Sequence, residues 1–465
     1  MELRVTTNSF DLFDTLVARR CVTAAALFSE VGAAFGMRDF AAARIAAEQR
    51  CSATGRFGID TIYEMLRTIG YVDAELARKL MEAEIQAEYD NAIPIRENIA
   101  AVRDFDLVIS DMYLPPTMLR SLMQHVGLRR SVYLFVDNAA KNRGEIWPQL
   151  MRRWLIHRHV GDNAHSDVAV PRQFGIPAVH YVGAGFSSAE RYLDDSGLPQ
   201  LARTARELRL ANPFPEATLE GLLWNHFAGL NLPLLILFCV EVLERRRLSG
   251  HQRLLLVDRD CHFLTEIFTA LFPVEPVELI HVSRAAMTSD GASVASYLKA
   301  VGVNDALVCD LVSTGRSWLR LASQNRLVID FFALVFVDDY LYEAFDQEEL
   351  KRLPGFRFSW ALRSSAIGMV GKAIEVMNTA PHGSTLAVEL IGNAYAPQFS
   401  AGHELPAGVL NTLMAVQAIA VGRIREGRQQ LLQEAESFAD RRGMLGTLIR
   451  SLCVPAWLNE LAKAV

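Results

Sequence analysis

The sequence predicts an α/β protein: a doubly wound parallel sheet with an inserted helical cap, followed by a second α/β unit. Three observations predict it. Short apolar segments alternate with helical ones along most of the 465 residues, as strand–crossover–strand units do. Acidic or hydroxyl residues stand just past several of those apolar segments, where open parallel sheets place their ligands. A polar stretch near residue 200 divides the alternation into two series.

The elements follow in order. Residues 4–10 read as a strand with Asp11 just past its end. From about 18 to 100 the chain is rich in Ala and Glu, with apolar residues three and four apart, which is helical spacing. This block separates the first strand from the next and reads as an inserted cap. Strands resume at 105–110, 131–136, 157–160 and 178–182, with a helix at 146–154 among them. Residues 186–215 include Asn212-Pro213-Phe214-Pro215 and mark a boundary, giving domains 1–195 and 196–465. The second series has strands at 253–257, 277–282, 306–309 and 328–337, then about 60 largely helical residues broken by the Gly/Pro-rich 401–408. Repeats and low-complexity segments are absent.

Composition narrows the class. Half the chain is hydrophobic (51%) and the net charge is −6 with both signs interspersed, which provides large cores and argues against a nucleic-acid binder. Six cysteines are scattered without a CxxC pair, as reduced core thiols are. The N-terminus lacks a charged region followed by an apolar one, so no signal peptide is expected. The most apolar run, 230–243, is interrupted by Pro233 and followed by Glu244-Arg245-Arg246-Arg247. It is shorter than the roughly 20 residues of a membrane helix and reads as a buried core helix. The expected location is cytoplasmic, without a transmembrane segment. The apolar 445–465 is expected to pack on its own domain or on a partner subunit.

Four stretches of the first domain carry chemistry: Phe10-Asp11-Leu12-Phe13-Asp14-Thr15-Leu16, Val108-Ile109-Ser110-Asp111, Lys141, and Gly161-Asp162-Asn163-Ala164-His165-Ser166-Asp167. Asp11 at a strand end is placed as a carboxylate nucleophile. A phosphate approaching it meets like charge, so a cation is needed; Asp162 and Asp167 with Asp11 make an oxygen donor set suited to Mg²⁺. Ser110 and Lys141 supply a hydroxyl and a point charge for phosphate oxygens. Taken singly, Asp14-Thr15 also fits a helix cap, Asp162 and Asp167 turn or N-cap positions, and Lys141 a solvated loop charge.

In this order and on these elements the four stretches resemble the haloacid dehalogenase superfamily, over about residues 3–190. The resemblance implies Asp11 as nucleophile, Ser110 and Lys141 as phosphate binders, and Mg²⁺ on Asp11, Asp162, Asp167 and the main-chain carbonyl of Phe13. Phosphatases of that family usually carry a general acid two residues after the nucleophile; here that position is Phe13, and Asp14 follows one later. The resemblance therefore leaves the acid role to Asp14, or leaves the chemistry slow or absent. An aromatic residue at that place also occurs in the dehalogenase branch, which does not need the metal; the Asp162/Asp167 pair favours phosphate.

In the second domain, residues 307–320 read Leu-Val-Cys-Asp-Leu-Val-Ser-Thr-Gly-Arg-Ser-Trp-Leu-Arg. A strand ends in an acid, and a Ser313-Thr314-Gly315-Arg316-Ser317 loop opens a helix, which makes a ready anion site. The stretch is similar to the phosphoribosyl pyrophosphate (PRPP) loop of type I phosphoribosyltransferases at Asp310, Thr314, Gly315 and Ser317, and departs from it at Cys309, where a first acid normally stands. The resemblance, over roughly 215–400, implies a pyrophosphate loop at Asp258-Arg259-Asp260 and a pyrophosphate contact at Arg284 after Ser283; an Arg binds phosphate oxygens bidentately. Asp258-Arg259-Asp260 also fits a surface salt-bridge cluster. Glu375 and the loop Pro381-His382-Gly383-Ser384-Thr385 are placed either to line an acceptor pocket or as a turn.

The pair of resemblances implies one pathway step in two halves, like the bacterial systems that install ribofuranose in capsules and O-antigens. The second domain transfers 5-phosphoribosyl from PRPP to a glycan acceptor; the first removes the 5-phosphate. A homo-oligomer or a polysaccharide-synthesis complex is compatible with this. Two alternatives stay open: a phosphatase of small phosphate esters with a non-catalytic second domain, and a catalytically degenerate scaffold subunit. Transfer to a nucleobase is disfavoured, since no base-stacking hood is evident.

Overall fold

The structure is a computed structural model and describes residues 5–55, 57–336, 355–363, 369–452 and 455–462. The chain divides into two compact units, Met1–Ser187 with Leu210–Phe214, and Ser188–Arg209 with Pro215–Val465. The polar stretch around residue 200 is thus not a bare linker: helices Ser188–Asp195 and Pro199–Leu210 form there, and residues 188–209 pack with the second unit.

In the first unit, β1 (Val5–Phe10) is the centre of a parallel sheet. Its last four residues are buried, because both edges pair and both faces are covered. A short ribbon follows: β2 (Val17–Arg19) pairs antiparallel with β3 (Ala92–Pro94). Between these two strands lie helices Ala24–Ala34, Phe40–Thr54, Ile59–Thr68 and Ala74–Asn91. The Thr23 hydroxyl accepts from the Ala26 amide at 3.2 Å and the Asp73 carboxylate from the Leu76 amide at 2.8 Å, each closing an N-terminal orphan donor. The sheet resumes with β4 (Leu107–Ser110), β5 (Tyr133–Val136), β6 (Trp154–Gly161) and β7 (Ala178–His180), in the order β5-β4-β1-β6-β7, all parallel. Strand order reverses beside β1, so the β1/β6 gap is the switch point where connections diverge and leave a crevice.

The helical insertion has a polar core of its own. Arg44, fully buried, makes two 2.8 Å contacts to the equally buried Glu84, which also accepts from the Tyr63 hydroxyl at 2.6 Å and Tyr113 at 3.2 Å. Arg19 of β2 grips Glu88 in the same bidentate way, both bonds 2.8 Å. Charges removed from water persist only when paired and hydrogen-bonded like this.

The second unit has its own five-stranded parallel sheet: β8 (Arg253–Val257), β9 (Val277–Ile280), β10 (Ala306–Ser313), β11 (Ile329–Phe336) and β12 (Phe356–Arg363), in the order β12-β11-β10-β8-β9. Here the order reverses between β8 and β10. β12 lies outside the strands expected from the sequence. So does the antiparallel hairpin β13 (Thr385–Ile391) and β14 (Ala394–Phe399), turned at Gly392 with φ +64°. Val337, at the end of one expected strand, lies outside the described residues.

The apolar run is a correction in length. Helical structure is continuous over Leu219–Ser249, 31 residues. Pro233 does not interrupt it, because the chain widens into a π-helical stretch at Phe227–Asn231 just before it; Pro then sits in the first turn of the following helix, where its missing N–H costs nothing. Length and composition would allow a membrane crossing, but every residue from Leu232 to Val240 is buried within the unit, as a core helix requires. A second long apolar helix, Ala407–Ser437, is partly buried. The segment after 441 packs on its own unit through Met444, Leu445, Leu448, Ile449 and Leu452. The described cysteines at 21, 51, 239, 261 and 309 are buried; Cys453 lies outside the described residues.

Candidate functional site

Four of the first domain's motif residues meet at the carboxyl end of the first sheet. Asp11 follows β1 and is fixed by its amide, which donates to the Val160 carbonyl of β6 at 2.8 Å. Asp162 follows β6, and Asp167 lies one turn on, in the first turn of the π-helical segment Ala164–Ala169. The carboxylates of Asp11, Asp162 and Asp167 each offer an oxygen within 4.8 Å of the others. Asn163, rather than either Asp, caps that segment, accepting from the His165 and Ser166 amides.

Lys141 enters this cluster as its counter-charge. It is buried (3% exposed); its Nζ contacts the Asp11 carboxylate and stands 2.6 Å from Asp167 Oδ1. It is therefore not a solvated loop charge. Asp111 holds its loop, accepting from the Lys141 amide at 2.9 Å and the Asn142 amide at 2.7 Å. Asp137 closes the turn before it through the Ala139 and Ala140 amides. Ser110, the last residue of β4, is buried, and its carbonyl accepts from the Asp137 amide at 3.1 Å.

Behind Asp167 lies a contact that motif reading missed. His159, fully buried on β6, has Nε2 3.1 Å from Asp167 Oδ1 and Nδ1 2.8 Å from Ser9 Oγ. The edge of its ring packs against Trp147. Burial holds His159 below the ordinary histidine range, so its neutral ring orients Asp167. No clear signal in the sequence marked it, since His159 stands beside His157 and Arg158 on the same strand and only the fold buries it.

Electrostatics follow from crowding three carboxylates. Burial pushes Asp11 up to about 7, with Lys141 pulling down and Asp167 pushing up. Burial also raises Asp162 to about 6, helped by Asp14 and Asp167. Asp167 goes the other way: burial disfavours its charge, but His159 and Lys141 outweigh that and hold it below the usual range. Two carboxyls poised to take protons at neutral pH, on an all-oxygen donor set, are what a hard divalent cation relieves.

Phe13 and Asp14 separate in the fold. The Phe13 ring packs on the cap-side core and lies under the Arg19 guanidinium, 4.3 Å from ring centre to Cζ. Asp14 adopts a left-handed conformation, φ +55°, a region sparsely used by residues other than Gly, with its amide donating to the Val17 carbonyl at 2.7 Å. No helix follows it, so it is not a cap. Asp14 instead lines a cleft of about 270 Å³ with Asp162, Val22, Tyr181, Val182, Ala184 and Gly185. A larger cleft, about 430 Å³, lies elsewhere on this unit, lined by Phe135, Ile146, Leu150 and Trp154, and holds none of the site acids.

In the second unit, Asp310 on β10 is almost wholly buried, and burial raises it to about 7. Its Oδ1 accepts from its neighbour Leu311 at 2.9 Å. Gly315 takes φ +71° ahead of helix Arg316–Asn325; a Cβ there would press on the Phe358 ring at 3.3 Å. The Ser313 hydroxyl accepts from the Gly315 amide at 3.2 Å and Thr314 from Arg316 at 3.5 Å, so both brace the loop itself. Ser317 is half-buried in the helix's first turn. Burial, with Glu375 and Asp310 nearby, raises Asp260 well above the carboxylate range; Glu375 in turn feels Arg259, Arg284 and Lys372. Arg259 is engaged within the unit, at 3.2 Å from Ser384 Oγ and 3.0 Å from Glu404. Arg284 is exposed at the start of a helix capped by Ser283. Asp258 is not the surface salt bridge expected as its plain alternative: its carboxylate is buried and faces three histidines.

No family model and no curated protein matches this chain.

Proposed function

We propose that the chain installs ribofuranose on a glycan in two Mg²⁺-dependent steps, with a haloacid-dehalogenase-type phosphatase as its first unit and a phosphoribosyltransferase-like second unit. The observation that carries the phosphatase half is the convergence of Asp11, Asp162, Asp167 and Lys141 at the switch point of a parallel sheet.

In the first unit, Asp11 attacks the phosphorus of a ribosyl 5-phosphate. The P–O5 bond breaks, Asp11 carries the phosphoryl group, and water then hydrolyses that acyl phosphate to release phosphate. Asp11, Asp162 and Asp167, with the Phe13 carbonyl, would hold Mg²⁺, which when bound neutralises phosphate charge. Lys141 holds the carboxylates and steadies phosphate oxygens with Ser110. Asp14, lining the cleft beside Asp162, gives the leaving oxygen its proton in place of the acid absent at Phe13.

In the second unit, an acceptor hydroxyl displaces pyrophosphate from C1 of PRPP. The loop from Ser313 to Ser317 binds the 5-phosphate, Asp310 the ribose hydroxyls, and Arg284 with the segment Asp258-Arg259-Asp260 the pyrophosphate side. One observation favours a narrower reading, a phosphatase with a non-catalytic second unit: Ser313, Thr314 and Arg259 already spend contacts inside the unit.

Incubation with PRPP and a panel of glycan acceptors tests both. Release of pyrophosphate and then phosphate supports the two-step reading, and Asp11→Asn should stop at a phosphorylated product. Phosphate release from simple sugar phosphates without PRPP turnover selects the narrower one. Absence of both, with no Mg²⁺ binding, overturns the proposal.

A further inference from the structure

At the tips of β8 and β9, Asp258 is joined by two histidines whose approach to it neither motif accounts for. Asp258 follows β8 directly, 4% exposed, its amide tied to the Ile280 carbonyl at 2.8 Å. His281 follows β9 and puts Nδ1 2.6 Å from Asp258 Oδ2. His382, from the loop before β13, puts Nε2 3.1 Å from the same oxygen. Donor atoms of all three lie within 4.8 Å of one another.

We propose that Asp258, His281 and His382 form a second metal site, for a zinc-class divalent transition ion and distinct in chemistry from the all-oxygen cluster of the first unit. The inference does not need the transferase reading and, where both use Asp258, gives that carboxylate to the metal rather than to the pyrophosphate side.

Three observations carry it. First, the ligand set is two imidazoles and a carboxylate, which suits Zn²⁺ and its neighbours rather than Mg²⁺. Second, the His382 tautomer is set. Its Nδ1 stands 3.0 Å from the Gly383 carbonyl, a bond only an N–H can make. In the neutral ring, Nε2 then carries a lone pair, aimed at a carboxylate oxygen. Two lone pairs facing each other repel; a cation between them turns the contact favourable. A carbonyl on the far nitrogen is also the usual support of a metal-binding histidine. Third, the second carboxylate oxygen, Asp258 Oδ1, has only a long contact, to His262 Nδ1 at 3.5 Å, and no hydrogen bond of ordinary geometry. His262 thus stands on the far side of the carboxylate and orients it, as outer partners of metal-binding carboxylates do.

The scaffold is suited to hold the rings. Phe399 of β14 packs on both, with ring centres 5.6 Å from His281 and 4.0 Å from His382. In tetrahedral geometry, metal–ligand bonds of about 2.0–2.2 Å separate neighbouring donors by about 3.3–3.6 Å. The His382 pair, at 3.1 Å, is a few tenths of an ångström short of that spacing, and the His281 pair, at 2.6 Å, must open further to admit an ion.

The test uses the full chain, stripped with a chelator and titrated with Co²⁺ as a spectroscopic stand-in for Zn²⁺. Excess Mg²⁺ is present to occupy the acid cluster of the first unit. One equivalent of Co²⁺ should bind with a visible absorption spectrum, be displaced by Zn²⁺, and resist Mg²⁺. Substituting His281→Ala or His382→Ala should weaken binding by more than the roughly 10–100-fold that loss of an outer support costs. His281→Gln and His382→Gln, folded by circular dichroism, serve if the alanine variants do not fold. No stoichiometric uptake, or uptake unchanged in the double glutamine variant, overturns the proposal. So does stabilisation by acid alone, which would mean that the histidines serve only as imidazolium partners of Asp258.

Discussion

Lys141 Nζ stands 2.6 Å from Asp167 Oδ1, and the same oxygen faces His159 Nε2 at 3.1 Å. One buried carboxylate thus positions the lysine on one side while a neutral histidine positions it on the other. Asp167 is the hinge of the site: it couples the β6 core to the cation beside Asp11.

Lys141→Met should remove the charge that balances Asp11 and Asp167, both buried. Breaking one side of a buried pair costs about 3–5 kcal/mol. The melting temperature should fall sharply in chelator, and Mg²⁺ should restore part of it. Phosphatase turnover should be lost in either condition.

Stability of the metal-free protein should fall as pH rises. Asp11 and Asp162 are raised to about 7 and about 6, so between roughly pH 4 and 7 the folded state holds protons that the unfolded state has released, and stability declines with pH there. The lowered Asp167 acts oppositely but only at more acid pH, below the ordinary Asp range. Mg²⁺ should remove the share of the decline that Asp11 and Asp162 contribute, its stabilising effect growing towards pH 7, while the raised Asp310 and Asp260 of the second unit keep theirs. Denaturant midpoints across pH, with and without Mg²⁺, check this. A flat profile in chelator would count against the crowding of these acids.

Asp14→Asn should lower turnover on alkyl phosphates by about 10²–10⁴-fold, the range of general acid catalysis, with KM little changed. With an aryl phosphate whose leaving group needs no proton, the loss should nearly vanish. Equal losses on both substrates would assign Asp14 to metal binding instead.

His159→Phe keeps the packing against Trp147 but removes the contact to Asp167. Mg²⁺ affinity should fall about 10–100-fold, as for other outer supports, while Asp11 stays competent at saturating Mg²⁺. Isothermal titration and Mg²⁺-dependent rates separate the two effects.

Glu84→Gln should destabilise the helical insertion, because Arg44 has no exposure and would lose its fully buried, bidentate counter-charge, keeping only the partly exposed Glu48 at 2.9 Å. The expected cost is again about 3–5 kcal/mol. Since Glu84 is remote in sequence from every motif, residual phosphatase activity at low temperature should persist.

Much of the first site was legible in the linear chain. Strand ends can be read from apolar runs, and a parallel sheet delivers every strand end to the same edge, so Asp11, Asp162 and Asp167 were bound to approach one another once the strands were placed. Ser313 and Thr314 were legible as a loop but not in their use, since whether a hydroxyl faces a ligand or its own backbone is settled by turn geometry. β12 was missed although Phe356, Phe358, Trp360 and Leu362 alternate with Arg357, Ser359, Ala361 and Arg363 as strand residues do; the β13–β14 hairpin was missed because its apolar residues follow no such alternation. Pro233 misled for a similar reason: only the wider turn ahead of it lets the long helix continue.

Local periodicity and residue type were enough to determine two α/β units, a helical insertion, and a carboxylate–lysine set at strand ends. Tertiary structure alone decided that Asp258, His281 and His382 share one point, though more than a hundred residues separate the first from the last. It also decided that His159 stands behind Asp167 and that Phe13 turns to the core while Asp14 turns to the cleft. The reason is physical: hydrophobic patterning acts over a few residues and fixes elements, whereas a histidine's partner depends on which strand tips the sheet order brings side by side.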